Sequence, residues 1–449
     1  MTAPLSSGLT SGPCRVLLVG MGVTNRAVAG ALLRRGHSVV AVDDRPDDIL
    51  RGAAADLGVE LVEAPSPAIV TELVAGVDFV VPAPGLPEVH PAFTAATSSG
   101  TSVVSELDLA AIWDDRPVVA ITGTNGKTTV VELVLDSLTR SGIAAVAAGN
   151  TDVPLVAAID DPTVDVFVVE ASSFRLGPVT AFAPRVGTWL NFAPDHLDIH
   201  RDLAAYESAK ARVFSSLAPG GIAVANAADP VVMRHVPSDR EVVTFGGGNG
   251  DWRREGDKLV GPDGPFLTAD RLWRSLPHDI EDVLAVAATV AAIGGSVEAV
   301  AAAAEHFRGL PHRVTPVGEI DGSTYYDDSK STTPHATVAA LRGFDSVVLI
   351  AGGRNKGVDL GELAAGGGHV HAVVAIGDAA DEVAEVFNAT HPVVRADNMD
   401  DAVAAARVLA VGGRPVLLSP ACASFDWYGN YGERGDDFAR VVRTLGAVR

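Results

Sequence analysis

The sequence predicts an α/β chain of three domains built on mostly parallel sheets, and three observations lead there. At 449 residues the chain is long enough for roughly three domains, each burying its own core. With 47% apolar and 20% charged residues it is globular rather than disordered or fibrous. Short β-branched runs alternate with helix-period segments along its length, the pattern of strands joined by right-handed crossovers.

The first unit opens with CRVLLVGMGVTNRAVAGALLRRGHSVVAVDD. An apolar run ends at Gly20, a helical pattern follows from Arg26 to Arg35, and a second run ends at Asp43 and Asp44: a βαβ unit. Its Gly20-x-Gly22-x-x-Asn25 spacing lacks the third glycine of the dinucleotide fingerprint, so a ligand loop and a plain strand-to-helix turn both remain open. A later strand, VDFVVPAPGLP, ends in a Pro/Gly loop where a sheet-edge ligand could sit. IWDDRPVVAITG marks the next boundary. Beyond it PVVAITG, DVFVVEASS, VGTWLNFAPDH and GGIAVANAAD read as strands, residues 241–277 as short antiparallel strands or loops, and Ile280 to Phe307 as alanine-rich helices. After a second boundary at RGLPHR, TYYDDS, SVVLIAGG, AVVAIGD and RPVLLSPACAS repeat the strand-loop-helix pattern and imply another parallel sheet.

Charge and cysteine content narrow the function. A net charge of -22 and a pI near 4.8 repel nucleic acid and anionic membranes, so an anionic ligand must be held locally. The longest nearly apolar run, residues 283–295, is too short to span a membrane and reads as a buried helix. The N-terminal MTAPLSSGLTSGP lacks the basic and apolar regions of a signal peptide and is expected to be a loose tail. Two cysteines, Cys14 and Cys422, suit a reducing cytoplasm. Of 34 basic residues only five are lysines: Lys127, Lys210, Lys258, Lys330 and Lys356. All but Lys258 sit in glycine-rich or polar motifs, and each reads either as a place that needs a compact or deprotonatable amine guanidinium cannot supply or as a chance survivor of codon bias.

The stretch ITGTNGKTTV carries the strongest chemical signal. A strand leads into GTNGK, and an amphipathic helix, stopped by Gly142, follows. Only Thr124 and Asn125 separate Gly123 from Gly126, which shortens the usual P-loop spacing, yet the context is that of a phosphate loop. Glycines let backbone N–H groups converge on phosphate, the helix N-terminus adds positive potential, Lys127 reaches the β/γ-phosphates and Thr128 can ligate Mg²⁺. Glu170 ends the strand of DVFVVEASSF, where ligands of parallel sheets collect; it reads either as a Mg²⁺ ligand or as a solvated strand end. His196 and His200, at i and i+4 in NFAPDHLDIH, could pair on zinc along one helix face, but further zinc ligands are missing. His196 beside Mg²⁺ with a structural His200 is the preferred assignment.

GTNGKTT, EASSF, NFAPDHLDIH, YESAKARVF, GLPHRV, DDSKSTTP, GGRNKG and LLSPACASFDWYGNYGERGDDF, in that order across almost the whole chain, resemble the Mur ligases, and the last motif is most similar to that of the D-glutamate-adding members. The resemblance implies a Rossmann-like UDP-substrate domain (1–114), a P-loop ATPase-like central domain (115–309) and a Rossmann-like C-terminal domain binding ATP and D-glutamate (310–449). It implies a cytoplasmic ATP-dependent amide ligase of peptidoglycan precursor synthesis, acting through an acyl phosphate on UDP-N-acetylmuramoyl-L-alanine. A monomer without nucleic-acid partner or membrane insertion is expected. Lys127, Glu170, His196 and Lys210 would be catalytic; Thr128 and Glu170 would hold one Mg²⁺, and His196 with a carbamate on Lys210 a second. Gly123, Thr124, Asn125, Gly126, Lys127, Thr128, Thr129, Arg313, Asp328 and Lys330 would bind ATP. Val23, Thr24, Asp43, Asp44, Arg45, Ala83, Pro84, Gly85, Asn150 and His196 would bind the UDP substrate, and Thr332, Lys356, Ser424 and Tyr431 would surround D-glutamate. A helix N-cap is the competing role for Ser424, and a helix-surface position the one for Lys210.

One departure stands out. Relatives often carry H-N-x-x-N where this chain has HDIED, so Asp279 and Asp282 replace amides expected near adenine. Rival readings are a ligase adding another amino acid, one extending a folate, a nucleotide-binding relative without catalysis and, least favoured, an NAD-dependent oxidoreductase.

Overall fold

The computed structural model describes Leu9 and residues 12–151, 153–197 and 199–447; most of the stretch expected to be a loose tail, residues 1–8, 10 and 11, lies outside them. The chain is organised in two compact units. The first comprises Met1–Phe192, Asp198–Thr268 and Asp282–Glu305, the second Ala193–Leu197, Ala269–Glu281 and His306–Arg449.

In the first unit, β1 (Arg15–Val19), β2 (Ser38–Asp43), β3 (Glu60–Glu63), β4 (Phe79–Pro82) and β5 (Ser102–Val103) form a sheet in the order β3-β2-β1-β4-β5, every pair parallel. Helices cover both faces, so β1 reads as a continuous apolar run instead of alternating: Leu18 packs into one core with Val28 and Leu32, Leu17 into another with Val70 and Val80. The helix Val23–Arg34 starts earlier than its periodicity indicates. The missing third glycine is explained by Asn25, whose buried amide donates to the carbonyls of Val19, Gly20 and Val81 and so ties the ends of β1 and β4 together. Gly20 (φ 84°) is required there, since a Cβ would lie 2.9 Å from that of Ala83.

β6 (Val118–Thr122), β7 (Ala145–Gly149), β8 (Val166–Glu170), β9 (Val186–Trp189), β10 (Ile222–Asn226) and β11 (Glu241–Phe245) form a second parallel sheet, ordered β11-β10-β9-β6-β8-β7. Fully buried Trp189 anchors its core against Phe192, Phe214 and His235. The glycine-rich stretch after it is the small antiparallel sheet β12 (Arg253–Glu255), β13 (Lys258–Gly261) and β14 (Gly264–Thr268). The apolar run at 283–295 lies mostly in helix Pro277–Ala292, and no described helix is long and apolar enough to cross a membrane.

The second unit carries β15 (Thr315–Ile320), β16 (Ser323–Asp327), β17 (Val347–Gly352), β18 (Val370–Ile376), β19 (Val393–Ala396) and β20 (Val416–Leu418), ordered β15-β16-β20-β17-β18-β19. The strands read from the sequence here, β16, β20, β17 and β18, pair in parallel, and one further strand adds an antiparallel edge: β15 and β16 form a hairpin around Asp321 (φ 51°) and Gly322 (φ 81°), the Asp-Gly turn that a tight hairpin needs.

Asp328 follows β16 directly and is buried, accepting a hydrogen bond from Ser419 Oγ at 2.7 Å. Burial pushes its carboxyl up to about 6, against the hydrogen bonds of Ser331 and Ser419 and the charges of Arg313 and Arg274. In the unfolded chain the group ionises near the ordinary value, so folding retains a proton between the two values and stability falls as pH rises through them. The shift corresponds to about 3 kcal/mol. Thermal melting of Asp328→Asn against wild type at pH 4 and pH 7.5 should show the balance moving toward the variant at the higher pH. An unchanged difference would contradict a raised carboxyl at this position.

Candidate active site

Parallel sheets present their ligand loops at the carboxyl ends of their strands, and the chemistry-bearing residues gather at those ends. After β6 the chain turns through Gly123 to Gly126 into helix Lys127–Arg140. Gly126 occupies the N-cap in the left-handed conformation (φ 85°) and, as glycine, offers no side-chain cap to this helix. A Cβ there would lie 2.6 Å from Asp282 Oδ1. The helix N-terminus, opening with Lys127, Thr128 and Thr129, is an anion-binding geometry.

Two lysines meet at this loop. Lys127 Nζ donates to the carbonyls of Gly123 (2.8 Å) and Thr124 (2.9 Å), and Lys210 Nζ donates to the same Gly123 carbonyl at 2.7 Å. Lys210 comes from helix Leu203–Ser215, is 2% exposed and lies over the Tyr206 ring, while the Tyr206 hydroxyl bonds to Thr124 Oγ1. It is therefore a buried loop contact and not a helix-surface residue.

The loop's brace was not legible in the sequence. Asn191, just past β9, accepts from Asn125 N–H at 2.9 Å and donates to Asn125 O at 3.2 Å, and its own carbonyl accepts from Thr124 N–H. Its position two residues after buried Trp189, at the end of a central strand, is the signal that could have found it. Glu170 closes β8, is 3% exposed, and accepts from Asn150 Nδ2 at 3.0 Å.

The residues expected to contact the UDP group split into bracing and open positions. Asp43 accepts from Met21 N–H and Arg45 N–H, and Thr24 Oγ1 accepts from Arg175, which also pairs with buried Glu106 at 2.8 Å. Val23 and Asp44 are exposed. Ala83, Pro84 and Gly85 line a cavity of about 490 Å³ in the first unit, together with Arg175, His200 and Arg212. His200 is buried and held on both nitrogens, by Ser173 Oγ (2.9 Å) and Glu88 (3.0 Å). His196 and His200 do not share a helix face: the backbone from 190 to 196 is irregular, and His196 has φ 56°.

In the second unit Asp195, His196 and Lys356 form a cluster. Asp195 Oδ2 lies 3.2 Å from His196 Nε2, and its Oδ1 accepts from Lys356 Nζ at 2.9 Å. Burial works against the Asp195 charge, but His196 and Lys356 outweigh it and hold the carboxyl below the ordinary range. A second cluster joins the loops after β16 and β20. Lys330 Nζ lies 5.5 Å from the Tyr431 ring centre, and Thr332 N–H bonds to Lys330 O. Ser424 is buried and accepts through its backbone carbonyl from Trp427 and Tyr428, so it heads a turn; its competing role as a helix N-cap is set aside, because the next helix begins at Tyr431.

Arg434 is the second residue that sequence reasoning passed over. Buried and lowered to about 10 by that burial, it donates to Ser329 Oγ, Ser329 O and Cys422 O, clamping the β16 and β20 loops together. One residue on, a Cβ at Gly435 would fall 2.2 Å from His312 Nδ1, so only glycine admits the His312–Asp327 contact of 2.6 Å. The replaced amides have distinct settings: Asp279 receives two bonds from Arg274, both 2.7 Å, whereas Asp282 lies against the Gly123–Gly126 loop at Gly126.

Residues 121–261 match the Mur ligase middle domain, and residues 312–422 match the Mur ligase glutamate ligase domain. The chain is 40% identical over 449 residues to a UDP-N-acetylmuramoylalanine--D-glutamate ligase of Frankia casuarinae, covering 95% of this chain and 93% of that one. A protein of the same name from Pelotomaculum thermopropionicum is 37% identical over 448 residues, covering 96% and 98%. Among solved structures, MurF from Acinetobacter baumannii has a similar fold with TM-score 0.61 at 17% identity, over 97% of this chain and 98% of that one. UDP-N-acetylmuramate-alanine ligase MurC from Thermotoga maritima gives 0.58 at 18%, over 96% and 99%. Two domain matches and relatives of this identity over nearly the whole length lead to one conclusion: the chain belongs to the Mur ligase family.

Proposed function

We propose that the chain joins D-glutamate to UDP-N-acetylmuramoyl-L-alanine at the cost of ATP, as a cytoplasmic monomer supplying peptidoglycan precursor. The reading rests on the convergence of Lys127 and Lys210 on one carbonyl at the mouth of a phosphate loop, with Glu170 ending β8 in the same unit. The name shared by relatives at 37–40% identity supplies the substrates. The division into domains 1–114, 115–309 and 310–449 is part of the same proposal, supported by a separate large sheet in each.

The chemistry runs in two steps. A carboxylate oxygen of the UDP-linked L-alanine attacks the γ-phosphorus, ADP leaves, and an acyl phosphate forms. The neutral amine of D-glutamate then attacks the acyl carbon; phosphate leaves and the amine proton is lost. Both steps concentrate negative charge, so positioning and fixed cationic donors supply most of the catalysis. Lys127 and the loop Gly123–Thr129 hold the phosphates. Arg313, Asp328 and Lys330 bind the remainder of ATP. Thr332, Lys356, Ser424 and Tyr431 hold D-glutamate, and the Val23–Thr24, Asp43–Arg45, Ala83–Gly85 and Asn150 positions hold the UDP substrate.

Among the described residues no three His, Cys, Asp or Glu side chains form a metal cage. Mg²⁺ would instead take Thr128, Glu170 and phosphate oxygens, and a second ion His196 and a carbamate on Lys210, a donor set of hard oxygens with one imidazole that suits this metal. Bound there, Mg²⁺ would neutralise phosphate charge. Carbamylation requires an amine, which explains lysine at 210 in a chain that otherwise favours arginine.

ADP formation by the purified protein should require UDP-N-acetylmuramoyl-L-alanine and D-glutamate together, and L-glutamate should not substitute. ADP release independent of either would overturn the assignment. Lys127→Ala should lower kcat on the order of 10²–10³-fold. With ¹³C-bicarbonate, a carbamate carbonyl resonance should appear in wild type and be absent from Lys210→Arg.

Asn191→Ala removes two hydrogen bonds from the loop and should raise KM for ATP about tenfold. Because Asn191 Oδ1 and Nδ2 bond oppositely to Asn125, Asn191→Asp should be at least as damaging. Initial rates against ATP concentration decide it, and wild-type KM in both variants would refute the brace.

A further inference from the structure

Asp279, the acidic residue in an amide's place, is part of a contact that extends beyond its own ion pair. Arg274 Nε donates to Asp279 Oδ2 and Nη2 to Oδ1, both at 2.7 Å, and Leu276 N–H adds a bond to Oδ2 at 3.2 Å. The remaining nitrogen, Nη1, points away from the carboxylate and donates to two consecutive carbonyls, those of Arg313 (2.8 Å) and Val314 (2.9 Å). That peptide is an unusual one. His312 has φ 60° and Val314 φ 47°, so Arg313 sits between two residues in the left-handed region, and a β-branched residue there is a backbone outlier. Arg313 Nε is buried and has no hydrogen-bond partner among the described residues. A donor held without an acceptor, on a backbone that would relax if released, is the arrangement of a side chain kept ready for a ligand.

We propose that Arg274 and Asp279 are positioning residues for the nucleotide: Asp279 orients the Arg274 fork, and the fork grips the peptide from which Arg313 reaches an acceptor oxygen of ATP. This rests on the reading of Arg313 as an ATP contact. The geometry explains both residue types. A lysine at 274 is a point donor and cannot span a carboxylate and two carbonyls at once. An amide at 279 offers one acceptor and one donor to a fork that presents two donors, and it leaves the guanidinium without its countercharge. The pair touches no reacting atom, so its effect falls on ATP binding.

The experiment uses the full chain and measures initial rates of ADP formation, varying each substrate in turn, with melting temperature as the second readout. Arg274→Lys and Asp279→Asn should each raise KM for ATP about tenfold, and the KM values for D-glutamate and the UDP substrate should stay within about twofold of wild type. Arg313→Ala should show the same pattern. The exchanged pair, Arg274→Asp with Asp279→Arg, can re-form an ion pair but puts no donor at 274 to reach the carbonyls; it should recover melting temperature without recovering KM for ATP. If the single variants keep wild-type KM for ATP while Arg313→Ala raises it, the positioning role is wrong and the Arg313 reading survives. If Arg313→Ala leaves KM unchanged, the Arg313 reading fails and takes the proposal with it. Recovery of both readouts by the exchanged pair would reduce Arg274–Asp279 to a stabilising ion pair and overturn the proposal. Where the exchanged pair does not fold, Arg274→Lys, which keeps the charge, decides alone.

Discussion

The carbonyl oxygen of Gly123 is the point on which the central site depends. It accepts from Lys127 and from Lys210, side chains 83 residues apart in the sequence, and one of them is buried. Two amines can share one neutral carbonyl only where the backbone exposes it to both. The β6 strand end and the turn through Gly126 produce that exposure. Tyr206 and Asn191 then hold the turn from two other elements, so the loop is fixed from the strand it leaves, the helix it enters, helix Leu203–Ser215 and the end of β9. An anionic ligand entering such a loop meets donors already close to place, which lowers the ordering cost of binding.

The same construction recurs in the second unit with arginine as the tie. Arg434 spans Ser329 and Cys422, joining the loops that follow β16 and β20, and Gly435 leaves room for His312 against Asp327. Motifs far apart in sequence, GLPHRV, DDSKSTTP and GERGDDF, thus prove to be facets of one packed arrangement. Burial lowers Arg434 to about 10, still far enough above neutrality to keep its charge and its fork geometry at working pH.

Much of the fold was legible because most strands of the large sheets pair in parallel and the central ones are buried on both faces, so such a strand appears as a nearly uninterrupted apolar run. β6, β8 and β17 could be read in this way, together with the loops they end in, whereas β16 alternates buried and half-buried residues along STYYD. β3, β5 and β19 could not: they are short and only partly buried, and Glu60–Glu63 carries no apolar run. β15 was missed because Thr315–Ile320 contains a proline and a glycine, tolerated at a sheet edge. Within the site, motif residues were visible and their braces were not. Asn191 and Arg434 act through long-range contacts, and no local period or spacing encodes a contact with a residue 66 or 105 positions away. The helix N-cap role for Ser424 and the His196–His200 pairing along one helix face fail for a related reason: both assume helix where the chain runs irregularly between strand and helix.

The division of labour between lysine and arginine follows from donor geometry. Where a compact donor must enter a narrow space, the chain uses an amine: Lys210 on the Gly123 carbonyl, Lys127 on that carbonyl and its neighbour Thr124 O, Lys356 on one oxygen of Asp195. Where several acceptors lie around one plane, it uses guanidinium. Arg175 bridges Glu106 and Thr24, Arg116 joins Asp114 to the carbonyls of Ile159, Asp161 and Val164, and Arg274 joins Asp279 to two more carbonyls. Lys258, the one lysine outside the motifs, lies exposed at the start of β13, where neither geometry is demanded. A composition biased so strongly toward arginine therefore makes the remaining lysines informative, and Lys127, Lys210 and Lys356 each place a compact amine on closely set acceptors.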